Sequence, residues 1–232
     1  MASAAPLDRG EVASGRRTVT GSPQVARSRM KRVLDVIGAT VLGVVTLPFA
    51  LLIALAIRLD SRGGALFRQE RVGLDGERFT ILKFRSMYTD CDEDAHRDYV
   101  TGLVNGHDEA SNGGVYKLVG DERVTRVGTW LRRTSLDELP QLVNVLRGEM
   151  SLVGPRPPLP YEVEQYDAEQ LGRLGARPGI TGLWQVSGRN QLSYRSMVRL
   201  DLEYIERWSL LLDVQILLRT VPVVLRNTGK AH

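Results

Sequence analysis

Asp137 and Glu138 stand side by side in Ser135-Leu136-Asp137-Glu138, with Arg132 and Arg133 just upstream. Lys83 and Arg85 lie in the segment Phe79-Thr80-Ile81-Leu82-Lys83-Phe84-Arg85-Ser86-Met87. Arginine's planar fork suits bidentate contact with phosphate oxygens, so cations grouped around a carboxylate pair point to phosphate chemistry. A solvated basic face near anionic lipid accounts nearly as well for each cation taken singly. Ser135 followed three residues later by Glu138 also fits a capping box, in which each side chain satisfies a free backbone N–H, and that duty competes with catalysis for Glu138. Pro140 is comfortable only in a helix's first turn, so the helix starts either at Ser135 or near Asp137. Both starts put Asp137 in the positive end of a helix dipole, a field that keeps a carboxylate ionised and draws phosphate to the same place.

Two further segments combine rigid backbone with a cation. In Gly154-Pro155-Arg156-Pro157-Pro158 the prolines fix the direction of Arg156, as an anion clamp would require. Arg177-Pro178-Gly179-Ile180-Thr181-Gly182 repeats the design, with glycines that let backbone N–H groups approach a ligand; a plain turn-rich connection is the alternative. Trp184, Gln185, Ser187, Gly188, Arg189 and Asn190 add an aromatic face with polar groups, suited to a nucleotide or to an ordinary interface. His96, His107 and His232 form no triad or ligand spacing, which argues against histidine-based catalysis. The single cysteine, Cys91, cannot close an intramolecular disulfide and fits a reducing compartment.

The elements that must position these residues follow from patterning. The chain of 232 residues is 43% hydrophobic and 25% charged, the balance of a folded domain. Its net charge of +4 suits an anionic partner. Residues 1–28, rich in Ala, Ser, Gly and Arg without apolar periodicity, read as a disordered tail. No charge occurs between Val36 and Ile57, and about 20 apolar residues suffice to cross a bilayer as a helix. That run is too long for the apolar region of a cleaved signal peptide. Both of its flanks are basic, and Pro48 bends it near the middle, which leaves a re-entrant hairpin and a kinked spanning helix as competing readings. Residues 65–72 and 78–87 alternate around Asp75-Gly76 and predict a β-hairpin. A polar helix is expected at 90–99 and a loop at 101–114. Helical periodicity returns at 126–133, 136–146, 161–174 and 194–208. Residues 210–225 are too polar to span and form either an interfacial amphipathic helix or a core helix.

Taken in order, Lys31-Arg32-x-x-Asp35, Lys83-Phe84-Arg85-Ser86-Met87, Ser135-Leu136-Asp137-Glu138-Leu139-Pro140-Gln141-Leu142, Val153-Gly154-Pro155-Arg156-Pro157 and Arg177-Pro178-Gly179-Ile180-Thr181-Gly182 make the sequence resemble the bacterial sugar transferases. These are the monotopic polyprenyl phosphate phosphoglycosyltransferases of surface glycan assembly, and the likeness covers residues 29–226. It implies a mainly helical, membrane-associated α+β fold. A re-entrant membrane helix-break-helix at 29–60, broken at Pro48, would precede a cytosolic catalytic domain at 61–228 with an interfacial C-terminal helix. The implied reaction moves a sugar 1-phosphate from a nucleoside diphosphate sugar, expected to be a UDP-sugar, to undecaprenyl phosphate at the bacterial inner membrane. By resemblance Asp137 is the nucleophile, Glu138 supports it, and the two carboxylates hold Mg2+. Arg132 and Arg156 match phosphate-binding positions and Lys83 a basic position near the site; Arg85, Arg177, Thr181, Gln185 and Arg189 complete the substrate-binding candidates. Many members carry Ser-Pro at the membrane break where Leu47-Pro48 stands here, and Thr46 is the hydroxyl available to contact the freed backbone. Membrane lipid is an expected partner, and a homodimer is compatible with a sequence that does not itself set the oligomeric state. A non-catalytic membrane adaptor is the competing reading, and 6% aromatic content leaves few stacking platforms for nucleic acid.

Overall fold

The computed structural model describes residues 24–89, 102, 123–188 and 192–227. The polar helix expected at 90–99, nearly all of the loop at 101–114 and the candidate Arg189 lie outside the described residues. The described chain is mainly helical with two small two-stranded sheets.

A short helix, α1 (Gln24–Arg27), buries Val25 in the core and accepts a bond from Arg177 at the Ala26 carbonyl, so residues 24–28 do not belong to the disordered tail expected to reach residue 28. Ser28 then caps α2 (Arg29–Asp60), its hydroxyl accepting from the Lys31 N–H at 3.2 Å. Both ends of α2 are tied to one body. Lys31, Asp35 and Ala39 are buried at its start, Ile53 and Ile57 at its end, whereas no residue from Thr40 to Leu52 is buried on any face. The helix is therefore left exposed at its centre, where Pro48 sits. It runs without interruption through the proline instead of breaking there, because the ring deletes a single N–H while the flanking bonds hold the turn. Thr46 does not compensate: its hydroxyl donates to the Leu42 carbonyl at 2.7 Å, not to Val44, whose bond the proline removes.

The hairpin forms as expected, from β1 (Leu66–Val72) and β2 (Arg78–Phe84), with Asp75 and Gly76 in the left-handed region at φ of 56° and 82°. β2 ends at Phe84, and Met87 instead bridges to Val124. Helix α3 (Arg126–Thr134) leads through a 3-10 turn at Leu136–Glu138 to α4 (Gln141–Arg147). Asn144 joins α4 to the hairpin: it accepts from the Leu82 N–H at 3.0 Å and donates to the Thr80 carbonyl at 2.7 Å, fully buried.

A parallel pair, β3 (Ser151–Val153) with β4 (Gly179–Thr181), was not legible in the sequence. It brings together the two Pro-Gly-Arg segments. Gly154 N–H bonds the Thr181 carbonyl at 2.9 Å and Gly179 N–H bonds the Pro155 carbonyl at 2.8 Å. A β-carbon on Gly154 would lie 2.3 Å from the Arg177 carbonyl oxygen, and one on Gly179 would lie 2.1 Å from the Gly154 nitrogen. Backbone cannot rotate away as a side chain can, so Gly154→Ala is expected to cost about 2 kcal/mol, which lowers the melting temperature by roughly 6 °C. A thermal melt of the variant unchanged from the parent would show that the two backbones separate freely.

Between these strands the single helix expected at 161–174 is divided into α5 (Pro160–Val163), α6 (Ala168–Leu171) and a 3-10 turn at Gly172–Gly175. Asp167 and Gln170 make a reciprocal capping box that starts a new helix in the middle of the periodic run. The chain closes with α7 (Leu183–Ser187), α8 (Tyr194–Glu206) and α9 (Leu210–Asn227). Helix α9 buries Asp213 and Ile216 but exposes Leu211, Val214, Leu218, Val221 and Leu225 along one stripe, so its inner face is core and its outer face apolar surface.

Candidate active site

Asp137 and Glu138 occupy the 3-10 turn between α3 and α4, both half-buried. Ser135 ends α3 in the left-handed conformation, φ 57°, with its N–H on the Leu131 carbonyl. The capping box expected of Ser135 and Glu138 does not form, because a helix N-cap needs extended backbone and Ser135 is committed to closing the preceding helix. The dipole expected at Asp137 likewise reduces to one turn, since α4 begins only at Gln141 behind Pro140. Glu138 is thereby released to accept from Lys83 Nζ at 3.1 Å.

Lys83 reaches that position through two supports. Its strand pairs Lys83 opposite Phe67, and the Asn144 bonds fix β2 against α4. The ion pair keeps its side chains 25% and 30% exposed, where solvent screening limits its worth to less than about 1 kcal/mol. It orients Glu138 more than it stabilises the fold. Arg132 and Arg133 close the last turn of α3, directly before the dyad turn.

Other candidates are used elsewhere. Arg85 is buried and donates to the Ser61 carbonyl at 2.9 Å, to Ile57 at 3.5 Å and to Arg62, closing the carbonyl end of α2 with a cation, as that end of a helix dipole favours. Arg177 donates to the Gly148 carbonyl at 3.0 Å, the Thr181 hydroxyl meets Thr220 at 2.8 Å, and Gln185 donates to the Ile180 carbonyl at 3.1 Å. Arg156 lies 3.3 Å from Glu162, and its carbonyl accepts from Arg173, which is paired with Asp201 at 2.8 Å in full burial. Burial pushes the Asp201 carboxyl up to about 6, with Arg173 pulling against it. Pro158 is bonded to Val72, and β1 runs about 17 Å from there to Phe67, the partner of Lys83.

Sequence reasoning gave no role to the residues that hold these pieces. Asn144, in the apolar run Leu142-Val143-Asn144-Val145-Leu146, had a usable signal as a lone amide at a core position. Lys31 donates to Asp213 at 2.8 Å and to the Val153 carbonyl at 3.0 Å, while Asp213 also accepts from Tyr204 at 2.7 Å and Trp208 at 3.1 Å. Asp35 accepts from Ser151 and from the Leu152 N–H, both at 3.0 Å. The Lys-Arg-x-x-Asp motif is thus an anchor of α2 onto β3 and α9.

Among the described residues no group of three or more His, Cys, Asp and Glu gathers as a metal cage. Two adjacent carboxylates, one of them sharing an oxygen with an ammonium, suit an ion such as magnesium that arrives on phosphate and keeps its waters.

The profile described as bacterial sugar transferase matches residues 26–227. A UDP-glucose:undecaprenyl-phosphate glucose-1-phosphate transferase of Caulobacter vibrioides is 48% identical over 218 residues, 90% of this chain and 74% of that protein. A UDP-galactose-lipid carrier transferase of Erwinia amylovora is 45% identical over 201 residues, 86% of this chain and 41% of its own length. An exopolysaccharide production protein, ExoY, of Rhizobium meliloti is 40% identical over 210 residues, 90% of this chain and 92% of its own length. The chain thus spans about two fifths of the length of some curated relatives and nearly all of others. With the profile matched over most of its residues and relatives of this identity, the chain belongs to the bacterial sugar transferase family.

Proposed function

We propose that this chain transfers a sugar 1-phosphate from a UDP-sugar to undecaprenyl phosphate, with Asp137 as nucleophile. The observation that carries the reading is the Lys83–Glu138 contact of 3.1 Å, which brings a cation of β2 onto the acidic pair in the turn directly after the Arg132-Arg133 end of α3. The names of the Caulobacter and Erwinia relatives, which pair UDP-glucose with undecaprenyl phosphate and UDP-galactose with a lipid carrier, support the substrate class. In the first step a carboxylate oxygen of Asp137 attacks the sugar-bearing phosphorus, the bond to the bridging oxygen breaks, and UMP leaves with that electron pair. A phosphate oxygen of undecaprenyl phosphate then attacks the same phosphorus, and the Asp137 carboxylate is released as the lipid-linked diphosphate sugar forms. Lys83 and Arg132 offset charge on the equatorial oxygens, the main service a protein renders in phosphoryl transfer. Asp137 and Glu138 would hold magnesium, which supplies further charge neutralisation when bound.

The reading places the site at the cytosolic face of a bacterial inner membrane. Helix α2 is long and apolar enough to enter a bilayer, and its exposed centre, with Val44 69% exposed, is unsuited to water. Both of its ends pack on one body, which supports the re-entrant form over a spanning one. The apolar stripe of α9 suits the interface.

Lys83→Ala is expected to lower transfer by roughly 100-fold while stability changes by less than about 1 kcal/mol. Lys83→Arg should recover part of the rate, since the charge returns with a different shape. The experiment for the function is UMP release by protein in lipid nanodiscs, given a panel of UDP-sugars, magnesium and undecaprenyl phosphate. UMP names the reaction and the sugar; UDP would make the protein a glycosyltransferase, and silence over the panel would favour the adaptor.

A further inference from the structure

An apolar groove of about 520 Å³ runs between the C-terminal half of α2 and the start of α3, lined by Leu52, Ile53, Ala56, Arg126, Val127 and Trp130. Trp130 remains 51% exposed on its rim, although a large aromatic surface of that kind is costly in water. The groove connects to the dyad in two ways. Ile53 in its wall belongs to a buried cluster with Ile57, Phe84 and Leu131, against which Leu136 and Leu139 pack, and these two leucines bracket Asp137 and Glu138. Along α3 the same helix that supplies Arg126, Val127 and Trp130 to the groove ends one turn later in Arg132 and Arg133.

We propose that this groove seats the first isoprene units of the acceptor lipid, with its phosphate at the basic end of α3 beside Asp137. The inference rests on the functional reading above. Charge and shape both favour this occupant. A single-chain lipid with a phosphate at its end needs an apolar trough leading to a cationic end, and here the trough lies on the half of α2 that continues directly into the exposed apolar centre of that helix. A lipid chain could leave the groove along α2 and remain in hydrocarbon throughout. A two-chain phospholipid would leave one chain outside a trough walled on both sides by helices.

The test uses the intact protein in nanodiscs with a short polyprenyl phosphate that carries a diazirine on an isoprene unit near the phosphate. Irradiation and peptide mapping should place most of the label on the peptides holding residues 52–56 and 126–130. Excess undecaprenyl phosphate should reduce it at least about fivefold, and the same excess of phosphatidylglycerol should not. Label spread along the whole exposed centre of α2, or equal competition by phosphatidylglycerol, overturns the proposal and leaves the groove as ordinary bilayer contact. A second measurement fills the trough: Ala56→Trp is expected to raise the KM for undecaprenyl phosphate roughly tenfold, the equivalent of one lost buried side chain, with the KM for the UDP-sugar unaltered. An unchanged lipid KM also overturns it. Selective labelling in a protein that releases no UMP from any UDP-sugar would instead preserve the groove and remove the proposed reaction, so the two failures are separable.

Discussion

Asp137→Asn is expected to reduce UMP release by on the order of 10⁴-fold or more, because an amide has no ionised oxygen to attack phosphorus and the covalent route closes with it. That loss corresponds to about 5.5 kcal/mol of transition-state stabilisation. The fold should survive, since the side chain is half-buried in a turn whose backbone bonds, Glu138 N–H to Ser135 and Leu139 N–H to Leu136, do not use it. Intact-protein mass after brief exposure to the UDP-sugar without acceptor should show the added sugar phosphate on the parent and none on the variant. UMP release by the variant within tenfold of the parent, at an equal melting temperature, would remove Asp137 from the nucleophile's role. Glu138→Gln separates the neighbouring function: it keeps the attacking carboxylate and loses the charge facing Lys83, so it should slow transfer while the covalent adduct still forms.

Lys31→Met is expected to be the most destabilising single change in the described chain's anchor, at about 3 kcal/mol, because it leaves the buried Asp213 carboxylate without its cation. The melting temperature should fall by roughly 10 °C. Tyr204 and Trp208 still donate to Asp213, which keeps the loss below what a wholly unpartnered charge would cost. The Tyr204 phenol is pushed up from its ordinary value by burial and by the neighbouring Asp213 charge, so it stays protonated and donates throughout the working pH range. Adding Asp213→Asn to Lys31→Met removes the stranded charge and should recover most of the loss, a coupling that a double-mutant cycle measures directly. A melt of Lys31→Met equal to that of the parent would mean that α2 is held to the body by its apolar contacts alone.

Much of the architecture is local and could be read in advance. The Asp75-Gly76 turn forms because left-handed backbone is cheap there, and α3, α8 and α9 follow their apolar periodicity to within about two residues. The adjacency of Asp137 and Glu138 needs no tertiary information, nor does the long apolar helix containing Pro48. Local signals failed where two of them met on one residue. Ser135 fits a helix N-cap and also a helix end, and only the packing of α3 against the cluster around Leu131 decided that it closes one helix and does not open the next. Asp167 shows the reverse, a capping box inside a periodic run that cuts one expected helix into pieces.

The arginines mark the deeper limit. Phosphate oxygens and backbone carbonyls offer a guanidinium the same acceptor geometry, so residue type alone cannot say which one a given arginine meets. Arg85 and Arg177 spend donors on carbonyls at helix ends, and Arg32 does the same at Val145 and Leu146. The glycines of the two Pro-Gly-Arg segments likewise serve the contact between β3 and β4, a meeting of backbones that neither segment announces by itself. What the sequence determined by itself was the inventory: an acidic pair, its surrounding cations, a hairpin and an apolar helix. Only the tertiary structure decided which cations face the carboxylates and which hold the frame, because that choice depends on contacts such as Lys83 to Glu138, 55 residues apart, whose energy exists only once the chain has folded.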